Sequence, residues 1–235
     1  MKSCSYAECR PCHDKEYERK YIDRLLEYLS KKKDVSGTFI DIGAHTGLWS
    51  HEIDKFFMDN LIPASSIAVE ADVENWQILE QNFQDRKSVS TINGAIWNER
   101  IVLGWNKCPH PARRRVIPVS VSLNVDYYVQ ADTLDHTLLN ASTYGVDAIK
   151  IDVEGAELQV LQGSKLLLLK QSPLVIVEVC EKQYRDYGYG KEKVYNNLAQ
   201  LGYDFYEKVD KKNFDIEDEN SVQLVFFSKG SKINE

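Results

Sequence analysis

The chain is 235 residues long, 43% hydrophobic and 28% charged, with a formal net charge of −7. This length and apolar content suit one sizeable α/β core and exclude disorder for most of the chain. An acidic chain gains little from the counterion release that drives binding to DNA or RNA, so no nucleic-acid partner is expected.

No apolar run approaches the ~18 residues that a membrane span needs. Met1 to Tyr6 also lacks the apolar stretch of a secretory signal. A cytoplasmic location without a membrane partner is therefore expected, and oligomeric state is not legible. The five cysteines argue against a disulfide framework, being odd in number and not preceded by such a signal. Cys4, Cys9 and Cys12 precede His13, but their irregular spacing reads as a flexible segment over 1–14 with free thiols rather than as a zinc site.

From Lys15 to Leu29, apolar Tyr17, Tyr21, Ile22, Leu25, Leu26 and Leu29 recur on one face, as in an amphipathic helix. This helix is expected to pack as a cover near the ligand side. Thr38 to Ile42 is a short apolar run that ends in a glycine-rich turn, the pattern of a buried parallel strand. A helix from Gly47 to about Met58, a strand over Ile67–Glu70, a helix over Glu74–Phe83 and a strand over Val89–Asn93 continue the alternation.

After a long connection, Ala148–Val153 reads as a strand, Glu157–Leu169 as a helix, Leu174–Val179 as a strand and Glu192–Leu201 as a helix. Tyr203–Tyr206 and Val222–Ser228 read as two closing strands able to pair antiparallel. Alternation of this kind predicts an α/β fold, a mostly parallel sheet with helices on both faces, in a single domain over 15–235. The connection from 98 to 147 breaks the rhythm and is expected to carry function or its own small substructure. It holds Trp105, Cys108, His110, the run Arg113–Arg115 and an alternating stretch from Val116 to Val129.

Ligands of open α/β sheets bind outside the carboxyl ends of the strands. Here those ends read Asp41, Glu70, Asn93, Asp152 and Glu178. Buried carboxylates are costly unless paired or hydrogen-bonded, so four together point to a site for hydroxyls or cations. After the first strand, Asp41-x-Gly43-x-His45-x-Gly47 is similar to the Asp-x-Gly-x-Gly-x-Gly loop of Rossmann-type methyltransferases. Small residues there let the backbone approach a ligand, and Glu70 stands where a carboxylate can accept both hydroxyls of a ribose. A dinucleotide loop would read Gly-x-Gly-x-x-Gly. His45 and Leu48 break that pattern, which makes NAD the weaker reading.

The strongest signal is the run from Lys150 to Gly163, with Lys150-Ile151-Asp152-Val153-Glu154-Gly155-Ala156-Glu157 as its core. It closely resembles the signature of the FkbM family of methyltransferases. Other segments agree with the family in order: Phe39–Gly47, Val69-Glu70-Ala71, Asn75–Phe83, Asn93–Ile96, Ala131–Asp135 and Val177–Val179. Ala71 replaces the family's usual proline, and the stretch from Arg100 to Asn124 matches nothing in it.

The resemblance implies a Rossmann-like class I methyltransferase fold, with a mainly parallel seven-stranded sheet and an antiparallel last strand. It implies S-adenosyl-L-methionine as cofactor and O-methylation of a hydroxyl on a carbohydrate-like or other polar small molecule. Asp41, Gly43, His45, Gly47 and Glu70 would bind the cofactor, with Asn93 and Ala95 near the adenine. Asp152, then Glu154, then Glu178 are the candidate catalytic groups. Three carboxylates so close could instead hold a divalent cation that orients a vicinal diol, an alternative the sequence does not favour. A catalytically inactive cofactor- or partner-binding module is the non-enzymatic alternative.

Other residues have two readings. His45 lines the loop or caps the next helix. Trp97 stacks near adenine or packs in the core. Lys107 with Arg113–Arg115 clasps an anionic group or faces solvent. Tyr184, Tyr187 and Tyr189 stack on a sugar from a loop or do not contribute. His136 is expected on a surface helix without a role.

Overall fold

The computed structural model describes residues 15–106, 115–118, 125–140, 145–209 and 223–229. The N-terminal cysteines with His13, Lys107, Cys108, His110, Arg113 and Arg114 lie outside the described residues, and Arg115 is described only as strand backbone.

The chain begins with α1 (Lys15–Lys31), then β1 (Phe39–Ile42), α2 (Leu48–Asp59), β2 (Ser66–Glu70), α3 (Val73–Phe83) and β3 (Val89–Asn93). The middle holds β4 (Ala95–Ile96), β5 (Ile101–Asn106), β6 (Arg115–Pro118), β7 (Tyr127–Asp132) and α4 (Leu134–Thr137). Then come β8 (Ala148–Ile151), α5 (Glu157–Gly163), α6 (Lys165–Gln171), β9 (Leu174–Val179), α7 (Glu181–Asp186), α8 (Lys191–Gln200), β10 (Phe205–Lys208) and β11 (Gln223–Ser228).

The main sheet has seven strands in the order β10-β11-β9-β8-β1-β2-β3. Neighbours from β9 to β3 pair parallel, and β11 runs antiparallel to both β9 and β10. This is the expected mixed sheet with a reversed last strand. Chain order reverses between β1 and β8, so the crevice for a ligand opens beside their carboxyl ends.

The period of two along each strand sorts side chains between two cores. Ile40, Ile42, Ile149, Ile151, Val175 and Val177 face α5, α6 and α8, packing with Leu158, Leu161, Leu167, Val194 and Leu198. Phe39, Ala148 and Ile176 face α1 and α2, packing with Tyr21, Leu25, Trp49, Ile53 and Phe57. Leu79 and Phe83 of α3 close the outer part of the same side over Ala68 and Val89. The α1 helix thus covers the sheet. Near its start, Glu18 accepts a 2.6 Å hydrogen bond from the Trp49 indole N–H.

Two elements depart from expectation. The helix expected over Glu157–Leu169 is two helices, broken at Ser164. A side chain at Gly163 would lie 1.9 Å from the Trp97 carbonyl oxygen, so a passing segment presses on the helix there. The Asp135 carboxylate then accepts hydrogen bonds from the Leu166 and Leu167 amides at 2.8 and 2.9 Å, capping α6 from outside.

Second, β5, β6 and β7 of the long connection join β4, which precedes it, in a four-stranded sheet of order β4-β7-β5-β6. Its inner face carries Trp97, Leu103, Trp105, Val116 and Val129. These pack against Ala71, Ala95, Val153, Ala156 and Tyr187, which border the strand ends of the main sheet.

Candidate active site

The loop after β1 owes its shape to backbone conformations that favour glycine. Gly43, His45 and Gly47 have φ of 78°, 51° and 94°. A Cβ at Gly43 would lie 1.8 Å from the Asp152 carbonyl oxygen, and one at Gly47 would lie 2.5 Å from the Phe83 ring. These glycines admit the chain after β8 and the side chains of α3. The loop is thereby clamped between two neighbours.

Glu70, at the end of β2, is buried. One carboxylate oxygen accepts the His45 amide at 2.7 Å and the other accepts the Asp72 amide at 2.8 Å. Burial raises its pKa from 4.5 to about 7, against the two amide hydrogen bonds that lower it. His45 therefore belongs to the loop and not to a cap. The α2 N-terminus starts at Gly47 without a side-chain cap, and the His45 Nδ1 lies 3.3 Å from the Thr46 hydroxyl. Asn93 donates from its side chain to the Glu70 carbonyl at 3.1 Å, which keeps β3 and β2 in register beside this carboxylate. Ala95 pairs with Ala131 of β7 at the edge of the small sheet.

At the centre lies a residue that the sequence reading passed over. Lys150 is 3% exposed. Its ammonium lies 3.0 Å from Asp152 Oδ2 and 3.6 Å from Asp41 Oδ1, and it donates to the Gly43 carbonyl at 3.3 Å. The Trp49 ring centroid is 5.9 Å away. Burial alone would lower its pKa, but Asp152, Asp41 and Glu18 outweigh that and hold it above the ordinary lysine value. The remaining oxygen of Asp41 accepts from the Ser50 hydroxyl at 2.8 Å, while Oδ1 accepts no hydrogen bond. Burial raises the Asp41 pKa against the opposing pull of Lys150 and Ser50. A lysine amid apolar strand residues was a signal available in the sequence, because a charge inside a buried strand needs partners.

Asp152, Glu154 and Glu178 come together as expected. Each offers a carboxylate oxygen, and these atoms lie within 4.8 Å of one another. Burial first, then the charges of Asp152, Glu154 and Glu157, push the Glu178 pKa well above its ordinary value.

Glu154 has φ of 58° and accepts a short hydrogen bond from the Gln183 amide of α7. Glu157, fully buried, accepts from the Val153 and Gly155 amides at 3.0 and 3.3 Å and so fastens the turn that carries Glu154. Its pKa rises to about 7 through burial, against those amide bonds.

Several alternatives resolve toward packing. Tyr184, expected on a loop, lies on α7, and Tyr189 stays on the connection after it; both are core residues, 0% and 6% exposed, with rings stacked 5.0 Å apart. Their hydroxyls donate to the Glu178 and Gly155 carbonyls. Tyr187 donates to the Val116 carbonyl, and its ring lies 6.4 Å from that of Trp97, which is buried in the small-sheet core. His136 lies exposed on α4, its Nδ1 2.8 Å from Asp132.

The sequence model of the FkbM methyltransferase domain matches residues 41–205, more than half of the chain. The chain belongs to the FkbM methyltransferase family. That domain is described as a methyltransferase domain.

Solved structures agree in fold. Methyltransferase FkbM from Methylobacillus flagellatus KT superposes with a TM-score of 0.56 at 14% identity, over 82% of this chain and 43% of that one. Precorrin-6y C5,15-methyltransferase from Geobacter metallireducens GS-15 gives 0.52 at 13% identity, over 94% and 93%. WbdD, described as a bifunctional kinase-methyltransferase, gives 0.54 at 12% identity, over 93% of this chain and 41% of that one. This FkbM-family chain thus spans less than half the length of two of these three proteins. At such identities the likeness carries the fold alone. No curated protein matches the sequence. Among the described residues, no helix is long and apolar enough to cross a membrane.

Proposed function

We propose that this chain transfers the methyl group of S-adenosylmethionine to a hydroxyl oxygen of a sugar or similarly polar small molecule. The observation that carries the reading is Lys150, which spans Asp41, Gly43 and Asp152 and so joins the cofactor loop to the carboxylate cluster in one buried group.

The residues fit the cofactor. Glu70 sits at the end of β2 with its carboxylate fixed by two backbone amides, a preorganised acceptor for ribose hydroxyls. Asp41 Oδ1 is buried without a hydrogen bond, an acceptor left for a ligand or its water. Gly43, His45 and Gly47 shape the loop around this region, with Asn93 and Ala95 on the adenine side. Bound there, S-adenosylmethionine supplies an electrophilic methyl carbon on a positively charged sulfur.

The protein's own part is positioning and proton removal. Asp152, ion-paired with Lys150 at 3.0 Å, would hold the acceptor hydroxyl and accept its proton. Glu154 and Glu178 complete the polar floor and rank behind Asp152 as base. Fixing the hydroxyl in line with the methyl group supplies much of the rate. The part of the small sheet within 98–147, which packs against Ala71 and Val153, is the proposed acceptor-recognition region.

Calorimetric titration with S-adenosylhomocysteine, S-adenosylmethionine and NAD, on the wild-type chain and Glu70→Ala, tests this reading. Loss of charged hydrogen bonds worth about 1.5–3 kcal/mol weakens binding of the first two by roughly 10- to 150-fold, and NAD does not bind. A folded protein that binds neither adenosyl compound sinks the reading. Cofactor binding with no turnover across a screen of sugars favours the inactive binding module instead.

A further inference from the structure

We propose that Asp152, Glu154 and Glu178 form a site for a hard divalent cation, Mg2+ or Mn2+, whose open positions take two neighbouring hydroxyl oxygens of the acceptor. The inference deepens the methyl-transfer reading and rests on it for the acceptor.

The donor set is all oxygen, which suits Mg2+, Mn2+ or Ca2+ rather than the metals that prefer thiolate or imidazole. Its oxygens already lie within 4.8 Å of one another. Around a cation with oxygen ligands at about 2.1 Å, adjacent ligands sit ~3.0 Å apart and opposite ones ~4.2 Å apart. Small side-chain rotations are enough to close the set.

A second observation is independent of the clustering. Glu178 Oε2 is buried and accepts no hydrogen bond among the described residues. A buried carboxylate oxygen without a partner is costly, so something must supply positive charge or a proton. The charged groups that face it do not: Asp152 and Glu154 lie after β8, Glu157 on α5, and the Cys180 thiol follows it in the chain. Lys150 is engaged by Asp41, Asp152 and the Gly43 carbonyl. Gln183 spends its amide on Glu154.

A divalent ion places two positive charges where three carboxylates converge. With three protein ligands, an octahedral ion keeps positions for two acceptor oxygens and a water. Coordination also lowers the pKa of a bound hydroxyl, and its proton passes to the Asp152 oxygen that does not bind the ion. A chelated pair of oxygens identifies the acceptor class as a vicinal diol.

The test uses the full chain after chelator treatment, titrated with Mn2+ and followed by electron paramagnetic resonance of the free ion, with and without S-adenosylhomocysteine. Expected are one Mn2+ per chain, competition by Mg2+, and at least a tenfold weaker dissociation constant in both Glu178→Gln and Asp152→Asn. Glu27→Gln, a change on the exposed side of α1, binds as the wild type does. Circular dichroism checks that each variant folds. If both variants unfold, stoichiometric Mn2+ binding by the wild-type chain decides the matter. Absence of Mn2+ binding, or full binding by both variants, overturns the site. S-adenosylhomocysteine bound without Mn2+ overturns the cation and leaves methyl transfer standing. Mn2+ bound without S-adenosylhomocysteine supports the site and sinks methyl transfer.

Discussion

Glu157 offers a stability experiment whose sign is fixed by the structure. The carboxylate is fully buried. One oxygen accepts the Val153 and Gly155 amides and the other has no partner. Its pKa is raised from 4.5 to about 7. Between these values the unfolded chain has released its proton while the folded chain still holds it. Folding stability from this group is therefore complete below pH 4.5 and is lost as pH rises through about 7. The gap between 4.5 and about 7, at about 1.36 kcal/mol per pH unit, comes to roughly 3 kcal/mol.

Glu157→Gln keeps an oxygen for the two amides and puts an amide nitrogen where the second oxygen was. It cannot ionise. At pH 5 the gap should be small, under about 1 kcal/mol, because that pH lies only about half a unit above the unfolded pKa. At pH 9 the variant should be the more stable by roughly 3 kcal/mol, or roughly 6–12 °C in melting temperature for a chain of this size. The assay is calorimetric unfolding of both proteins at pH 5, 7 and 9 in the presence of chelator. A difference that does not change with pH, or one that favours the wild type at pH 9, refutes the claim that Glu157 pays an ionisation penalty in the fold.

Two further substitutions test the clamp around the cofactor loop. Gly43→Ala puts a methyl group 1.8 Å from the Asp152 carbonyl at a φ of +78°, so it should cost about 2–5 kcal/mol in urea unfolding and abolish S-adenosylhomocysteine binding. Lys150→Met leaves Asp41 and Asp152 without their ammonium and should cost about 3–5 kcal/mol at pH 7. That loss should shrink at low pH as the two carboxylates take up protons, which denaturation at pH 4 and 7 would show.

The sequence by itself determined the order of strands and helices in the main sheet, because periods of two and of 3.6 are written locally in which residues are apolar. The Asp41–Gly47 loop, Glu70 and the meeting of Asp152, Glu154 and Glu178 were legible for a related reason. Parallel strands in one sheet carry their carboxyl ends to one edge, so residues at strand ends become neighbours without further information.

Tertiary structure alone decided the rest. The break at Ser164 depends on the Trp97 backbone pressing on Gly163 and on the Asp135 cap, both far away in sequence. The small sheet depends on the β5–β7 and β4–β7 pairings, whose registers are set by long-range contact. Tyr184, expected on a loop, is a core residue because α7 forms directly after β9, and Tyr189, on the connection after α7, stacks its ring on it. Lys150 takes its role from Asp41 on one neighbouring strand and Asp152 at the end of its own. Local patterns record which faces of the chain avoid water, but which distant groups satisfy a buried charge or interrupt a helix is decided only when the chain closes on itself.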